Sequence, residues 1–272
     1  MVETFVISGE GARHVGSAAD LAAASASLPA GAYTTLRTYG GDGVAYLADH
    51  TRRLEQSSAL EGRPGHLETA RVRRGLAEVL RLTAHPESRI RLTFAPPELF
   101  ASSEPFAPLA ETLYEEGVRC ATVATRRDLP QAKGTRFLSS AQAAYAALPA
   151  GAHEGLLMAE DGALLEGLSS NLFAVLEGTL RTEDRRALHG TTRALVLELA
   201  RGLVPVDLTA VTRSELPRTS ELFITSVSRE VLPVVRVDEV TIGRGRPGPL
   251  ARDLRRRYRG RVERDADHLL AG

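Results

Sequence analysis

The chain has 272 residues, 43% hydrophobic and 25% charged, and its 34 basic side chains balance its 34 acidic ones. That length can bury a large core in one big domain or two smaller ones, and the composition is ordinary for a soluble globular protein. Zero net charge argues against a dedicated binder of nucleic acid or acidic membrane, and a single cysteine, Cys120, excludes an internal disulfide.

The first segments, TFVISGE, GAYTTLRTYG and VAYLA, read as strands, with aromatic and β-branched residues between glycines. HTRRLEQSSAL reads as a short helix. HLETARVRRGLAEVLRL reads as an amphipathic one, with Leu67, Val72, Leu76, Val79 and Leu80 on one face. SRIRLTF is an alternating strand, PPELFASSEPFAP a Pro/Ser-rich loop and VRCATVATRR a strand in which Cys120 is a core thiol. The polar, proline-bearing stretch that follows reads as a linker. This places an N-terminal domain over 1–125, a linker over 126–132 and a second domain over 133–272.

The second domain opens with a helix, FLSSAQAAYAAL. Short strands follow at EGLLMAE, DGALLEG, NLFAVLEG and TLRTE, then a helix at TTRALVLELARGL, strands at ELFITS and LPVVRVD, and a final helix at GPLARDLRRRYRG. The arginine run of that last helix reads as a solvated surface. The fold class is therefore α+β in two domains, the second rich in short strands and barrel-like. The N-terminus has no basic segment followed by a long apolar one, and no window reaches a membrane-spanning length. A cytoplasmic protein with no membrane or nucleic-acid partner is expected.

Lys133 is the only lysine, and every other cationic side chain counted with it is arginine. Arginine stays protonated at any working pH, whereas a lysine amine can lose its proton, attack a carbonyl and form a Schiff base. Other candidates for chemistry are individually ordinary. Glu166 lies between apolar and small polar residues, where a buried carboxylate needs a cationic or donor partner. Gly190-Thr191-Thr192 precedes an apolar helix, so it suits a phosphate cradle or plain helix capping. Thr225-Ser226-Val227-Ser228 is a small-polar turn after an apolar strand, and Arg53 follows His50 by three residues on one helix face. The literal G-x-G-x-x-G at Gly243–Gly248 comes too near the chain's end for a dinucleotide unit. No Cys/His cluster has metal-ligand spacing. One amine, one acid, an arginine and two hydroxyl-lined turns suit pyridoxal 5'-phosphate.

In that order the segments resemble the class IV (fold type IV) pyridoxal-phosphate enzymes, a family of branched-chain aminotransferases, D-amino acid aminotransferases and aminodeoxychorismate lyases. The resemblance runs from about Tyr33 to Pro249. It rests on HTRRL for H-x-x-R-L, AKGTRFLSS for the lysine segment, EGLSSNLF for E-G-x-x-x-N-hydrophobic-F, LHGTTR for L-x-G-x-T-R, and ELFITSVSREVLPV for E-x-F-x-T-S-x-x-x-E-x-x-P-V. It implies a smaller α/β N-terminal domain, a C-terminal pseudo-barrel, cofactor at their interface and a homodimer. It also implies Lys133 as the catalytic Schiff-base lysine and Glu166 as partner of the pyridine nitrogen. Arg53, Thr191, Thr192, Ser226 and Val227 would hold the phosphate, and Tyr33 would face the substrate.

The chain departs from the family pattern in four places. DLAAASASLPAG stands where many members carry D-R-G and G-D-G segments. Thr34 replaces a glutamate frequent in the aminotransferases, Phe137 a tyrosine of the branched-chain enzymes, and Val227 a phosphate-binding threonine. The expected activity is transfer of an amino group between an amino acid and a 2-oxo acid, with FLSS leaning toward the branched-chain group. Tyr33-Thr34-Thr35 leans toward the lyase, which eliminates pyruvate. A third reading, an inactive dimeric binding or structural module, is opposed by the intact Lys133 and Glu166.

Overall fold

Strands rich in aromatic and β-branched residues open the chain: β1 (Val2–Ser8), β2 (Gly11–Ala18), β3 (Ala32–Tyr39), β4 (Gly43–Ala45), β5 (Ser88–Ala95) and β6 (Glu98–Pro105). With a short strand at Ala266–His268 they form an antiparallel sheet in the order Ala266–His268, β4, β3, β5, β6, β1, β2. The computed structural model describes residues 1–9 and 11–271, and this sheet belongs to the first of two units, residues 1–107, 132–139 and 262–272. The same unit holds helices α1 (Leu21–Ala26), α2 (Leu47–Leu60) and α3 (Thr69–Thr83). The apolar face expected of α3 is buried at Val72, Leu76, Val79 and Leu80, in one cluster with Leu36, Ile90, Leu92 and Leu99 from the strands. That burial, more than helix propensity, holds the layers together.

The sequence reading needs correction in two places here, and a third segment, to which it gave no element, holds a helix. PPELFASSEPFAP is not a loop: its middle is β6, paired with both β5 and β1. Leu99 and Ala101 alternate into the core, and the Ser102 hydroxyl is satisfied across the ladder by Thr4 Oγ1 at 3.0 Å, so a serine there can sit in a buried strand. The VAYLA strand stops at Ala45, because Tyr46 takes a left-handed φ of 56° and α2 begins at Leu47. In DLAAASASLPAG the Asp20 carboxylate accepts from the backbone N–H groups of Ala22 and Ala23, capping α1.

The remaining elements in chain order are α4 (Glu111–Glu116), β7 (Val118–Val123), α5 (Arg136–Ala146), β8 (Ala152–Met158), β9 (Ala163–Gly167), β10 (Asn171–Leu176), β11 (Thr179–Arg181), α6 (Thr191–Ala200), β12 (Val206–Asp207), β13 (Val211–Thr212), β14 (Thr219–Ser226), β15 (Glu230–Val237), β16 (Val240–Thr241) and α7 (Pro249–Arg264). The second unit comprises residues 108–131 and 140–261. Its sheet runs β10, β14, β15, β7, β8, β9, and a bridge between Glu166 of β9 and Asn171 of β10 joins the ends of that series into a ring. This ring is the expected pseudo-barrel. One apolar cluster inside the unit includes Cys120, Leu156, Leu164, Leu172, Leu222, Ile224, Leu232 and Val234. Burial pushes the Cys120 thiol well above its ordinary range, as a core thiol requires. The arginine run of α7 is not purely a solvated surface. Arg255 and Arg259, four apart on one face, both reach Glu111 and the buried Glu230. Among the described residues no helix is long and apolar enough to cross a membrane.

Phe173 and Phe223 are opposite one another on β10 and β14, fully buried and stacked with ring centroids 5.2 Å apart. Phe223→Ala should destabilise the second unit by about 3–5 kcal/mol through lost transfer energy and a residual cavity. Chemical denaturation of wild type and variant would measure it.

Candidate functional site

In the first unit, the lysine segment is docked on the start of β3. Tyr33 N–H donates to the Lys133 carbonyl at 2.8 Å, Thr135 N–H to the Gly31 carbonyl at 2.8 Å, and Lys133 N–H to Ser57 Oγ of α2 at 3.1 Å. Glycine is demanded at Gly31, and at Gly134 a side chain would displace the Glu61 carboxylate. A Cβ on Gly31 would lie 2.2 Å from the Phe94 carbonyl oxygen, and one on Gly134 would lie 1.7 Å from Glu61 Oε1. The Lys133 backbone is thus held rigidly while its Nζ lies 4.7 Å from the centroid of the buried Tyr33 ring. Phe137 follows, buried, in the first turn of α5.

Arg53 is not a surface residue. On β3, Ala32, Thr34 and Leu36 point to the helix-covered face, and Thr34 meets α2 there. Arg53 Nη2 donates to Thr34 Oγ1 at 2.6 Å, and the same hydroxyl bonds His50 Nδ1 at 2.7 Å. Desolvation pushes the Arg53 guanidinium down to about 10. No carboxylate pairs with it among the described residues, and its buried Nε has no hydrogen-bond partner. His50 is held well below the ordinary 6.5, first by burial, then by the positive charges of Arg53 and Lys133.

In the second unit, the position of Glu166 depends on one irregularity. Leu157 pairs with Glu166 but Met158 pairs with Leu164, so Leu165 is an extra residue in the ladder. This bulge reverses the alternation. Leu164 joins the apolar cluster, while Glu166, two residues on, shares the opposite face with Leu157. Beside Glu166 along the ladder lie Asn171 on β10, then Thr225 on β14. Glu166 is buried at 2% exposure. Its Oε1 accepts from Arg127 Nε at 2.9 Å, and its Oε2 from Leu188 N–H at 3.1 Å.

Asn171 ties the next segment to the same place, with Nδ2 donating to the Leu188 carbonyl at 2.6 Å. A Cβ on Gly190 would lie 2.2 Å from Asn171 Oδ1, so the approach to α6 requires glycine. Gly190 starts α6 without a side-chain cap, Thr191 is half-buried and Thr192 buried. Arg193 fixes the preceding loop through the Glu183 carbonyl and Asp184 carboxylate, each at 3.0 Å. Ser226 and Val227 are half-buried in the turn after β14, where Arg229 N–H bonds back to Ser226 O at 3.2 Å. Thr225 Oγ1 is buried with no hydrogen-bond partner.

The first unit therefore gathers Tyr33, Arg53 and Lys133, and the second gathers Glu166, Thr191, Thr192, Ser226 and Val227. The sequence reading missed Arg127, which it left in a polar linker, and the part that Thr34, Asn171 and Thr225 play. Arg127 carried no signal: only the fold brings it 39 positions along the chain to Glu166.

The residues fit pyridoxal phosphate. In the first unit, an arginine with a buried, partnerless donor and no bonded acid suits an anion, and the one amine suits an aldehyde. In the second, a buried acid fixed by two donors suits a ring nitrogen, and an uncapped helix start with the partnerless Thr225 hydroxyl nearby in register with Asn171 suits phosphate oxygens. Among the described residues, no group of three or more His, Cys, Asp or Glu could hold a metal ion.

A family model described as amino-transferase class IV matches residues 31–237. The chain is similar to the D-alanine aminotransferase of Bacillus licheniformis, 30% identical over 82% of this chain and 84% of that protein. It is also similar to the branched-chain-amino-acid aminotransferase of Pseudomonas aeruginosa, 30% identical over 56% of this chain, and spans about half (52%) of that protein's length. In fold it is similar to a T.th. branched-chain amino acid aminotransferase solved with pyridoxamine 5'-phosphate. There the TM-score is 0.80 and the identity 23%, covering 98% of both chains.

Two outcomes follow from the buried charges. Arg127→Gln leaves Glu166 buried without its cation, which should cost about 3–5 kcal/mol in chemical denaturation. His50 makes stability rise with pH. The unfolded chain takes up a proton near 6.5 that folded His50 refuses, so stability is lost as pH falls below that value. The slope approaches about 1.4 kcal/mol per pH unit and should be smaller in His50→Gln, as read from thermal unfolding at neutral pH and about two units lower.

Proposed function

This chain belongs to the class IV aminotransferase family, and from that premise we propose that it transfers an amino group between a branched-chain amino acid and a 2-oxo acid. Class IV aminotransferases depend on pyridoxal phosphate, which when bound supplies an aldehyde carbon for amines and a ring that acts as an electron sink. The single observation that carries the reading is Lys133, the only lysine, held by backbone bonds on both sides with its amine beside the Tyr33 ring.

Lys133 Nζ serves as nucleophile, and afterwards as the base and acid that takes and returns a proton. The Tyr33 ring bounds Nζ on one side and faces the substrate. Glu166 presents a fixed negative charge to the ring nitrogen, with Arg127 and Leu188 N–H keeping its carboxylate from rotating. In the first unit Arg53, aimed by Thr34, would offer its guanidinium to a phosphate, and in the second the start of α6 at Thr191 and Thr192 and the Ser226–Val227 turn would offer donors to phosphate oxygens. Val227 contributes only its backbone N–H there, and Phe137 gives the ring oxygen no hydrogen bond. Branched-chain enzymes recur among the similar proteins and folds, which supports that donor class. The D-alanine enzyme supplies the competing one. The family resemblance also supports a homodimer.

Purified protein with added pyridoxal phosphate should show a visible absorption band that Lys133→Ala lacks. Lys133→Arg, which keeps the charge but not the nucleophile, should lose turnover with L-leucine, L-valine and L-isoleucine as donors. Turnover retained in Lys133→Arg would overturn the reading, and turnover of D-alanine alone would replace the donor class.

A further inference from the structure

Glu154, on β8, has 0% exposure and faces the same side as Leu156, a member of the apolar cluster. A carboxylate in that position needs partners: Gly155 N–H of the same strand donates to Oε1 at 3.0 Å, and the partners of Oε2 come from two loops. From the β9–β10 connection, Ser170 Oγ and Ser169 Oγ donate to Oε2 at 3.0 and 3.3 Å. From the turn between β14 and β15, Arg229 Nη1 lies 3.6 Å from the same oxygen. Arg229 also donates to Ser169 Oγ at 2.9 Å and to Tyr145 OH at 3.3 Å, and Tyr145 OH bonds Ser169 Oγ at 2.5 Å. Behind the turn, Tyr114 OH donates to the Arg229 carbonyl at 3.1 Å. Glu230, in a left-handed conformation (φ 55°), is gripped by Arg255 and Arg259 of α7.

These loops are the two that the cofactor needs. One follows β9, which carries Glu166, and the other leaves β14 at Ser226 and holds Val227. The backbone ladder between β10 and β14 begins at the Asn171–Thr225 pair, and beyond it, among the described residues, side-chain bonds tie loop to turn. Arg229 is that tie, and it occupies a variable position of the T-S-x-x-x-E pattern. Its fork reaches a carboxylate, a serine and a tyrosine at once, which an ammonium could not do in one geometry. On the loop side, Gly167 leaves no slack: a Cβ there would lie 2.1 Å from Ser170 Oγ. Burial opposes the charge on Arg229, but Glu154 and Tyr145 more than restore it, so the brace does not loosen near neutral pH.

We infer that Arg229 is a positioning residue which, through Glu154, Ser169 and Tyr145, braces the Ser226–Val227 turn against the loop that follows Glu166 and so sets affinity for pyridoxal phosphate. The inference rests on the proposed function for the cofactor, and on the geometry of the second unit for the brace.

The test compares apoprotein of wild type, Arg229→Gln/Glu154→Gln and Ser169→Ala. The double variant removes both charges and so avoids a buried unpaired carboxylate. Ser169→Ala removes only the hydroxyl that the other three side chains share. Titration with pyridoxal phosphate, followed by absorbance, should show the dissociation constant raised about tenfold or more in the double variant, the scale on which loss of an outer partner weakens a bound group. It should rise about fivefold in Ser169→Ala. Hydrogen exchange of the apoprotein at residues 167–171 and 226–229 should speed up in both. Dissociation constants within about twofold of wild type, in variants that still fold, would overturn the brace. So would unchanged exchange. If the double variant does not fold, Ser169→Ala decides by the same readings. Wild type that takes up no pyridoxal phosphate would overturn the proposed function instead, and exchange in the apoproteins would still judge the brace.

Discussion

Between Leu164 and Glu166 the chain holds one residue more than its partner strand can match. A strand with period two would send both side chains to the same side, into the apolar cluster. The extra residue turns Glu166 to the opposite face, toward Asn171, at the bridge that closes the ring. The rest of the second unit's polar architecture depends on that reversal. It gives the carboxylate two donors, Arg127 and the Leu188 N–H, and Asn171 then draws the Leu188–Gly190 segment to the same spot, from which α6 starts. Strand closure, acid placement and helix placement are one geometric event.

Burying acids in a ring of short strands creates a charge problem, and the second unit meets it repeatedly with arginine. Glu166 has Arg127, Glu154 has Arg229, and Glu230 has Arg255 and Arg259. A planar guanidinium can satisfy several acceptors in fixed directions and stays charged when desolvated, whereas a buried ammonium tends to lose its proton. The arrangement leaves lysine to a position where a labile proton is useful. Such pairs add little net stability compared with apolar packing, because desolvation offsets most of the attraction. Their effect is to specify geometry, which is what a site for a flat ring and a phosphate needs.

The first unit uses different means. Its sheet is conventional, with α2 and α3 over an apolar face, and it holds Lys133 through the backbone bonds of Tyr33 and Thr135 and through close backbone approach at Gly31. Thr34 has a second consequence. A glutamate in its place would pair with Arg53 and neutralise it. A threonine orients the guanidinium through one hydroxyl and leaves its charge for an anion. His50, neutral in that pocket, accepts from or donates to the same hydroxyl without adding a like charge.

The sequence by itself determined the α+β class, the amphipathic α3 and most of the strands, and it nominated the residue types of the candidate site. These are set by local period, by turn residues and by ordered motifs, all short-range signals. The lone lysine was legible because it is a compositional fact. What only tertiary structure decided is which residues meet. Ser102 and Ser103 read as loop because their partners lie on other strands. The α7 arginines read as solvated because Glu111 and Glu230 are far away in the chain. Arg127 and Arg229 gave no sign of their roles, since each acquires one only when strands distant in sequence are closed into a ring, and the face that Glu166 presents hangs on a bulge that no local pattern announces. A side chain's neighbours across a sheet are fixed by register, and register is a property of the whole fold.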